Sequence, residues 1–244
     1  MSKQTNRNKN AIIIISIMLV MVVVMAFVSG QGMTPEKAII NNVQTKQEAM
    51  DSAELDLYMS TVTNNDYYYK NEQIRWFTEM VHRVILRVEI EVESVDIIDD
   101  ETAIANIHQT HFNGEPFDFT WPCLFKLEND EWVDCGYAFE ETKTDKFTVK
   151  FVDGETRVDA FIMMMNEAYA NLEPIFKERP HSSFELKHFK DRELLRQRTV
   201  PSERWQFTGW GEPNESLMLF TGHPDVNRYK GTVQHEVVHH ITIN

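Results

Sequence analysis

The chain opens on an apolar run and then becomes periodic. Ala11–Val28 is hydrophobic at every position except Ser16. Its 18 residues exceed the roughly 7–15 of a signal-peptide core and reach the roughly 17–25 needed to span a bilayer. Farther on, "TKQEAMDSAELDLYMSTV" and "KNEQIRWFTEMVHRVI" carry helical spacing, with Ile74, Phe77, Val81 and Ile85 on one face, and Asn64-Asn65-Asp66 breaks between them. Four segments then alternate or are β-branched: "RVEIEVESVDII", "TAIANIHQTHF", "FDFTWPCLFKL" and "EWVDCGYAFEE". Turn residues such as Asp99-Asp100 and Asn113-Gly114 bound them, which predicts long antiparallel strands. Helices followed by a meander make residues 34–142 an α+β domain.

The pattern changes after the charged stretch "ETKTDK", which reads as a linker. Residues 147–244 begin with a strand, "FTVKFV". Val158, Phe161, Ile162, Met165, Ala168, Tyr169 and Leu172 then trace one face of a long helix that Pro174 bends or ends. "SSFELKHF" reads as a strand, "DRELLRQ" as a short capped helix, and "SLMLFT" as another strand after a loop rich in Pro, Gly and Trp. A last helix is expected from near Arg228.

Charge adds a location. Lys3, Arg7 and Lys9 precede the apolar run, and no acidic residue appears before Glu36. A positive flank followed by an apolar segment addresses residues 1–30 to a membrane, either as a retained anchor or as a cleaved signal. The remainder is then expected outside the cytoplasm, as a single-pass membrane protein or a secreted one. All 38 Asp and Glu fall in that remainder, within a chain of net charge −14. Such an acidic surface argues against nucleic acid or anionic lipid as a ligand. The two cysteines, Cys123 and Cys135, flank "LFKLENDEWVD" symmetrically about Asn129. A three-residue hairpin loop would set them opposite one another within disulfide range, and an oxidising compartment would favour the bond.

The candidate chemistry lies at the end. In "GTVQHEVVHHITIN", His235 and His239 are four apart and share a helix face, while Val233, Val237 and Ile241 fall on the opposite side. Glu236 lies between the two faces. This is the division of labour of a zinc hydrolase: two histidines hold Zn2+ and a carboxylate that is not a ligand takes a proton from water. His240 points away from both ligands. His108 and His111, three apart on a strand, lie on opposite faces and make poor joint ligands. A hydrolytic zinc wants three protein ligands, and acids upstream such as Glu212, Glu215 or Asp225 could lean in.

Two resemblances bear on these residues. From Phe147 onward, "FTGWGEPNESLMLFTG" and "QHEVVHHIT" resemble the segment before the active-site helix and the "HELxHxxT" motif of gluzincin-type peptidases of the MA clan. The resemblance implies the upper subdomain of a zincin: His235 and His239 as zinc ligands, Glu236 as general base, and Leu217, Met218, Leu219, Phe220 and Thr221 as the edge strand that pairs with an extended peptide substrate. The family's third ligand, a Glu on a later helix, has no counterpart before Asn244. The expectation is therefore a membrane-associated zinc metallopeptidase cut after that subdomain and inactive in this form. Residues 34–142, with Trp76, Trp121 and Trp132, resemble the nuclear transport factor 2-like fold, helices packed in a cone-shaped sheet. The alternative function is accordingly a non-catalytic envelope binding module served by that cone.

Overall fold

Along Thr102–Asn113 every second side chain is buried: Ala103, Ala105, Ile107, Gln109 and His111. That period of two gives a strand with one face in a core. The computed structural model describes residues 33–82, 87–113, 115–152, 154–176, 184–201 and 207–243. The apolar run expected to cross or enter a membrane lies outside them. Among the described residues no helix is long and apolar enough to cross a membrane. The chain divides into two compact units, Met1–Lys37 and Ala38–Asn244. Of the first, only Met33–Lys37 is described, where the first helix begins.

Three helices come first: α1 Pro35–Ser52, α2 Leu55–Ser60 and α3 Tyr67–His82. The stretch read as one helix from Thr45 is therefore two. Ala53 adopts a left-handed φ of 60°, and Glu54 N–H closes on the Ala49 carbonyl at 2.9 Å, which ends α1. Four antiparallel strands follow in sequence order: β1 Arg87–Ile97, β2 Thr102–Asn113, β3 Glu115–Glu128 and β4 Glu131–Tyr137. The helices cover one face of this first sheet. Ile39 and Val43 pack on Ala105, Trp121, Cys123 and Phe125, and Tyr58, Trp76, Phe77 and Met80 form a neighbouring cluster. This is the α+β arrangement expected for the segment.

The β3–β4 hairpin corrects the cysteine register. Glu128 pairs with Glu131, so the turn has two residues, Asn129 and Asp130, both with positive φ (53° and 68°). That is the turn whose twist suits a tight hairpin. The shorter loop shifts the ladder by one residue, and an irregularity between Cys123 and Phe125 leaves Cys123 opposite Tyr137. Cys123 faces the helix-side core, whereas Cys135 lines a cleft with Leu124 and Lys126. Both are free thiols, not the expected disulfide.

The stretch read as a linker is not one. Glu140–Lys143 forms β5 and pairs with β6, Phe147–Phe151. The second sheet continues through β7 Phe184–Phe189, β8 Gly209–Trp210 and β9 Leu217–Phe220, in spatial order β5-β6-β7-β9-β8. The central strands β6, β7 and β9 are parallel, and β5 and β8 run antiparallel to their neighbours. α4 Val158–Phe176 and α6 Lys230–Ile243 pack on one face, where Phe161, Met165 and Tyr169 meet Phe147, Leu186, Leu219, Val233 and Val237. Pro174 is accommodated inside α4. α5 Arg192–Thr199 starts at Asp191, whose carboxylate accepts from Leu194 N–H at 2.9 Å.

The two sheets meet through α3 and α5. Arg75 of α3 donates to Glu215 at 2.7 and 2.9 Å, Trp76 Nε1 donates to the Gln197 carbonyl at 3.1 Å, and Lys187 of β7 is buried against Glu72 at 2.7 Å. The buried face of α3 thus runs through Glu72, Gln73, Trp76, Phe77 and Met80. Of the apolar set read from spacing, Phe77 lies on it, Val81 packs at its margin, Ile74 is half-buried, and Ile85 lies outside the described residues. Glu72 is buried because Lys187 of the second sheet pairs with it, and Gln73 because Tyr58 of α2 donates to it at 2.7 Å.

Candidate functional site

α6 is preceded by a 3-10 turn, Val226–Tyr229, capped by Asp225, which accepts from Asn227 N–H at 3.0 Å. The loop before it is clamped by Arg157. That guanidinium binds the Glu155 carboxylate at 2.6 and 2.8 Å and donates to the carbonyls of Thr221 and His223. The pairing hydrogen bonds hold the Glu155 pKa down to about 2. Tyr229 Oη also accepts from His223 N–H. The helix therefore starts from a fixed point.

Along α6, Val233 and Val237 are buried in the core under the sheet, as the apolar stripe predicts. His235 and His239 lie on the exposed side with ring centroids 4.6 Å apart and Nε2 atoms 3.0 Å apart. Nitrogen ligands of one tetrahedral zinc, each bound at about 2.0–2.1 Å, stand roughly 3.3 Å apart. The pair fits two positions of such a site. Among the described residues no third His, Cys, Asp or Glu joins them. Glu215 is held by Arg75 and Asp225 caps its turn. His240, turned away from the pair as expected, is buried with its ring 4.3 Å from that of Phe184, and burial lowers its pKa to about 4.

Glu236 is buried beside this pair, and burial alone raises its pKa to about 7. What covers it is backbone. A Cβ placed on Gly209 would fall well inside contact distance of Glu236 Oε1 and 3.1 Å from Thr232 Cγ2. A Cβ on Gly211 would fall 3.2 Å from Glu236 Oε2 and 3.9 Å from His239 Cβ. The strand above the carboxylate is glycine on both sides of Trp210 because nothing larger fits. The Gly-Trp-Gly spacing is the available sign of this roof in the sequence, and spacing alone does not reveal what it covers.

The expected edge strand is corrected here. Leu217–Phe220 forms β9, which pairs with β7 on one side and with β8 on the other. Leu217, Met218 and Leu219 are buried, and Thr221 donates its N–H to the Phe189 carbonyl at 2.7 Å. On this side of the sheet the edge strand among the described residues is β8, Gly209–Trp210, beside Glu236, while β5 forms the other edge.

The space between the first sheet and its helices is a second candidate. It is lined by Lys46, Tyr58, Trp76, Gln109, Trp121 and Asp134, but its volume is only about 20 Å³, near the minimum for one water. Asp134 fills its centre, accepting from Lys46 Nζ, Tyr69 Oη (2.9 Å), Gly136 N–H (2.6 Å) and Cys123 Sγ (3.1 Å). Arg198 of α5 closes it, with its guanidinium 4.0 Å over the Trp121 ring. His111 lies in this interior beside Gln109, while His108 faces outward near Glu93 and Asp118, so the two share no site.

No family model matches the chain, and no curated protein matches it. Among solved structures, it is similar to an NTF-2 like protein of unknown function from Shewanella oneidensis MR-1. That match has 13% identity and a TM-score of 0.35, and covers 40% of this chain and 91% of the other. It is also similar to a domain of unknown function with a cystatin-like fold from Nostoc punctiforme PCC 73102. There the identity is 12% and the TM-score 0.36, covering 59% of this chain and 96% of the other.

Proposed function

We propose that the α6 site is the strand-and-helix half of a zinc-dependent peptidase centre of gluzincin type. His235 and His239 are two metal donors, and Glu236 is the general base. The observation that carries this reading is the convergence of the two Nε2 atoms, 3.0 Å apart, beside a carboxylate buried under the edge strand β8. Bound zinc supplies Lewis acidity toward water and a peptide carbonyl. The chain's own residues do the rest. β8 offers an unpaired backbone edge to an extended peptide. Gly209 and Gly211 let that backbone approach the carboxylate. Burial holds Glu236 near neutrality, where a base that must take and return a proton is most effective. The third donor comes from outside the described residues.

Zinc titration of the chain, with hydrolysis of a quenched fluorogenic peptide, tests this. Zinc binding that weakens in His235→Ala and His239→Ala is the expected result for the chain, and chelator-sensitive hydrolysis that disappears in Glu236→Gln is expected once a third donor is supplied. The two-donor chain is expected to bind zinc weakly and to gain hydrolysis when a third donor is provided. Zinc affinity unchanged by both histidine substitutions would remove the reading. The alternative, a binding module served by the cone, would not use the interior of the first sheet, whose remaining volume is about 20 Å³.

A further inference from the structure

A cavity of about 590 Å³ lies on the face of the second sheet opposite α6. Its floor carries Glu141 and Lys143 of β5, Thr148 and Lys150 of β6, and Glu185 and Lys187 of β7. One wall is the start of α3, the other is the β3–β4 hairpin. A volume in the range of roughly 300–1,000 Å³ suits a small molecule.

The floor cations are already committed. Lys150 bridges Asp66 at 2.8 Å and Glu185 at 2.7 Å. Lys187 bridges Glu72 at 2.7 Å and Glu185 at 3.3 Å. Ser216 Oγ adds a donor to Glu185 at 2.7 Å. Arg198 differs. It lines the cavity from the last turn of α5, stacked on Trp121. Asp134, the acid whose charge reaches it, already accepts from Lys46, Tyr69, Gly136 and Cys123. Among the described residues Arg198 makes no hydrogen bond, so a planar fork of donors faces the cleft without an acceptor. Near it the cleft is apolar. Tyr137, Phe139 and Phe189 form a ring cluster with centroids 4.7 and 5.4 Å apart, and Met218 borders them.

We propose that this cleft binds a small zwitterion, an amino acid or dipeptide with an apolar side chain, whose carboxylate pairs with Arg198. The ring cluster takes the apolar side chain, and the acids of the floor take the ammonium. A dianion such as phosphate is disfavoured, because Glu72, Glu128 and Glu185 line the same space. The site is separate from His235 and His239, and the proposal does not rest on the peptidase reading.

Calorimetric titration of the full chain with glycyl-phenylalanine, its C-terminal amide and inorganic phosphate tests it. Saturable one-to-one binding of the dipeptide is expected, with binding at least about tenfold weaker for the amide and for Arg198→Gln, as expected when a buried donor loses its acceptor. Absence of dipeptide binding, equal binding of acid and amide, or phosphate binding as tight as the dipeptide would overturn it. Because Arg198→Gln also removes a packing contact with Trp121, the unaltered protein provides a second readout. Cys135 lines the cleft and Cys123 does not. Saturating dipeptide is expected to slow maleimide labelling of Cys135 severalfold, and an unchanged labelling rate would equally overturn the proposal.

Discussion

Asp134 of β4 and Glu236 of α6 are both buried carboxylates, 4% and 5% exposed, and their surroundings are opposite. Burial works against the charge of Asp134, yet Lys46 beside it and the donors from Lys46 and Gly136 hold its pKa below the usual range. Glu236 accepts no hydrogen bond among the described residues, and burial carries it up to about 7. The first acid is built into the scaffold. The second is kept desolvated next to two imidazoles, where its protonation stays within reach of chemistry. Burial alone therefore does not separate an acid held ionised from one left to titrate near neutrality. The donors around it do.

The largest expected effect breaks the structural side of this contrast. Asp134→Ala leaves the Lys46 ammonium buried without its partner and frees the Tyr69 hydroxyl. A loss of about 3–5 kcal/mol is expected, as for one member of a buried pair. Glu236→Gln removes no hydrogen bond and is expected to change stability by less than about 1 kcal/mol while abolishing the proposed hydrolysis. Urea unfolding of both variants decides it. Comparable losses would show that Glu236 is as structural as Asp134.

The same contrast recurs in histidines. His111 lies beside Gln109, with Arg196, Arg198 and Glu193 near it, and desolvation followed by those arginines lowers it to about 3. His188 is buried with its ring 4.1 Å from Phe161, and neither nitrogen finds a partner among the described residues. Burial, with Arg157 acting in the same direction, outweighs the field of Glu155 and lowers it to about 3 as well. Both pKa values are depressed from 6.5, so below that pH the unfolded chain takes protons that the folded one refuses. Stability is present above pH 6.5 and falls as pH drops toward 3, at about 1 kcal/mol per pH unit for each histidine. Urea midpoints at about pH 7, above that window, and at about pH 5, inside it, test this. His188→Phe is expected to remove about a third of the histidine slope, because His240, depressed to about 4, shares it. Glu236, raised to about 7, opposes that slope above pH 4.5, and Glu155 adds to the loss only below pH 4.5.

A smaller effect probes the roof over Glu236. Gly209→Ala forces a methyl against the carboxylate and is expected to cost about 1–3 kcal/mol, as overpacking does. Gly231, in the same helix as Glu236, faces open space, with no surrounding atom within 4 Å of where a methyl would stand. Gly231→Ala is expected to stabilise by about 0.5–1 kcal/mol through helix propensity. A Gly209→Ala protein as stable as the parent would show that Glu236 swings free, and the contrast with Asp134 would then weaken.

What the sequence made legible follows what is local. The period-two burial of β2, the cap at Asp191, the apolar face of α4 and the shared face of His235 and His239 all depend on spacing within one element. The misreadings depend on partners distant in sequence. Glu140–Lys143 is polar because one face of β5 lines the cleft, which made a strand look like a linker. Leu217–Phe220 lies between two strands only because Gly209–Trp210, too short to show a period, pairs outside it. Arg75, Glu72 and Lys187 gave no signal, since each alone resembles a solvated charge.

The cysteines carry the smallest expected effect and the sharpest test of register. A disulfide closing this short loop would contribute roughly 2–3 kcal/mol. The two-residue turn at Asn129-Asp130 instead places Cys123 in the helix-side core and Cys135 on the cleft. Cys123 donates to Asp134 Oδ1 at 3.1 Å, so it belongs to the structural side of the contrast, whereas Cys135 makes a long contact of 3.7 Å with the Val133 carbonyl. Burial raises the Cys135 thiol to about 12, which leaves it protonated and slow to react near neutral pH. Cys135→Ser is therefore expected to cost less than about 1 kcal/mol, and Cys123→Ser somewhat more through the crowded Asp134 cluster. Alkylation of the unreduced, denatured protein should add two labels by mass. No added label, with a loss of about 2–3 kcal/mol in either variant, would restore the three-residue loop and move every inward residue of β4, Asp134 included, out of the place assigned to it.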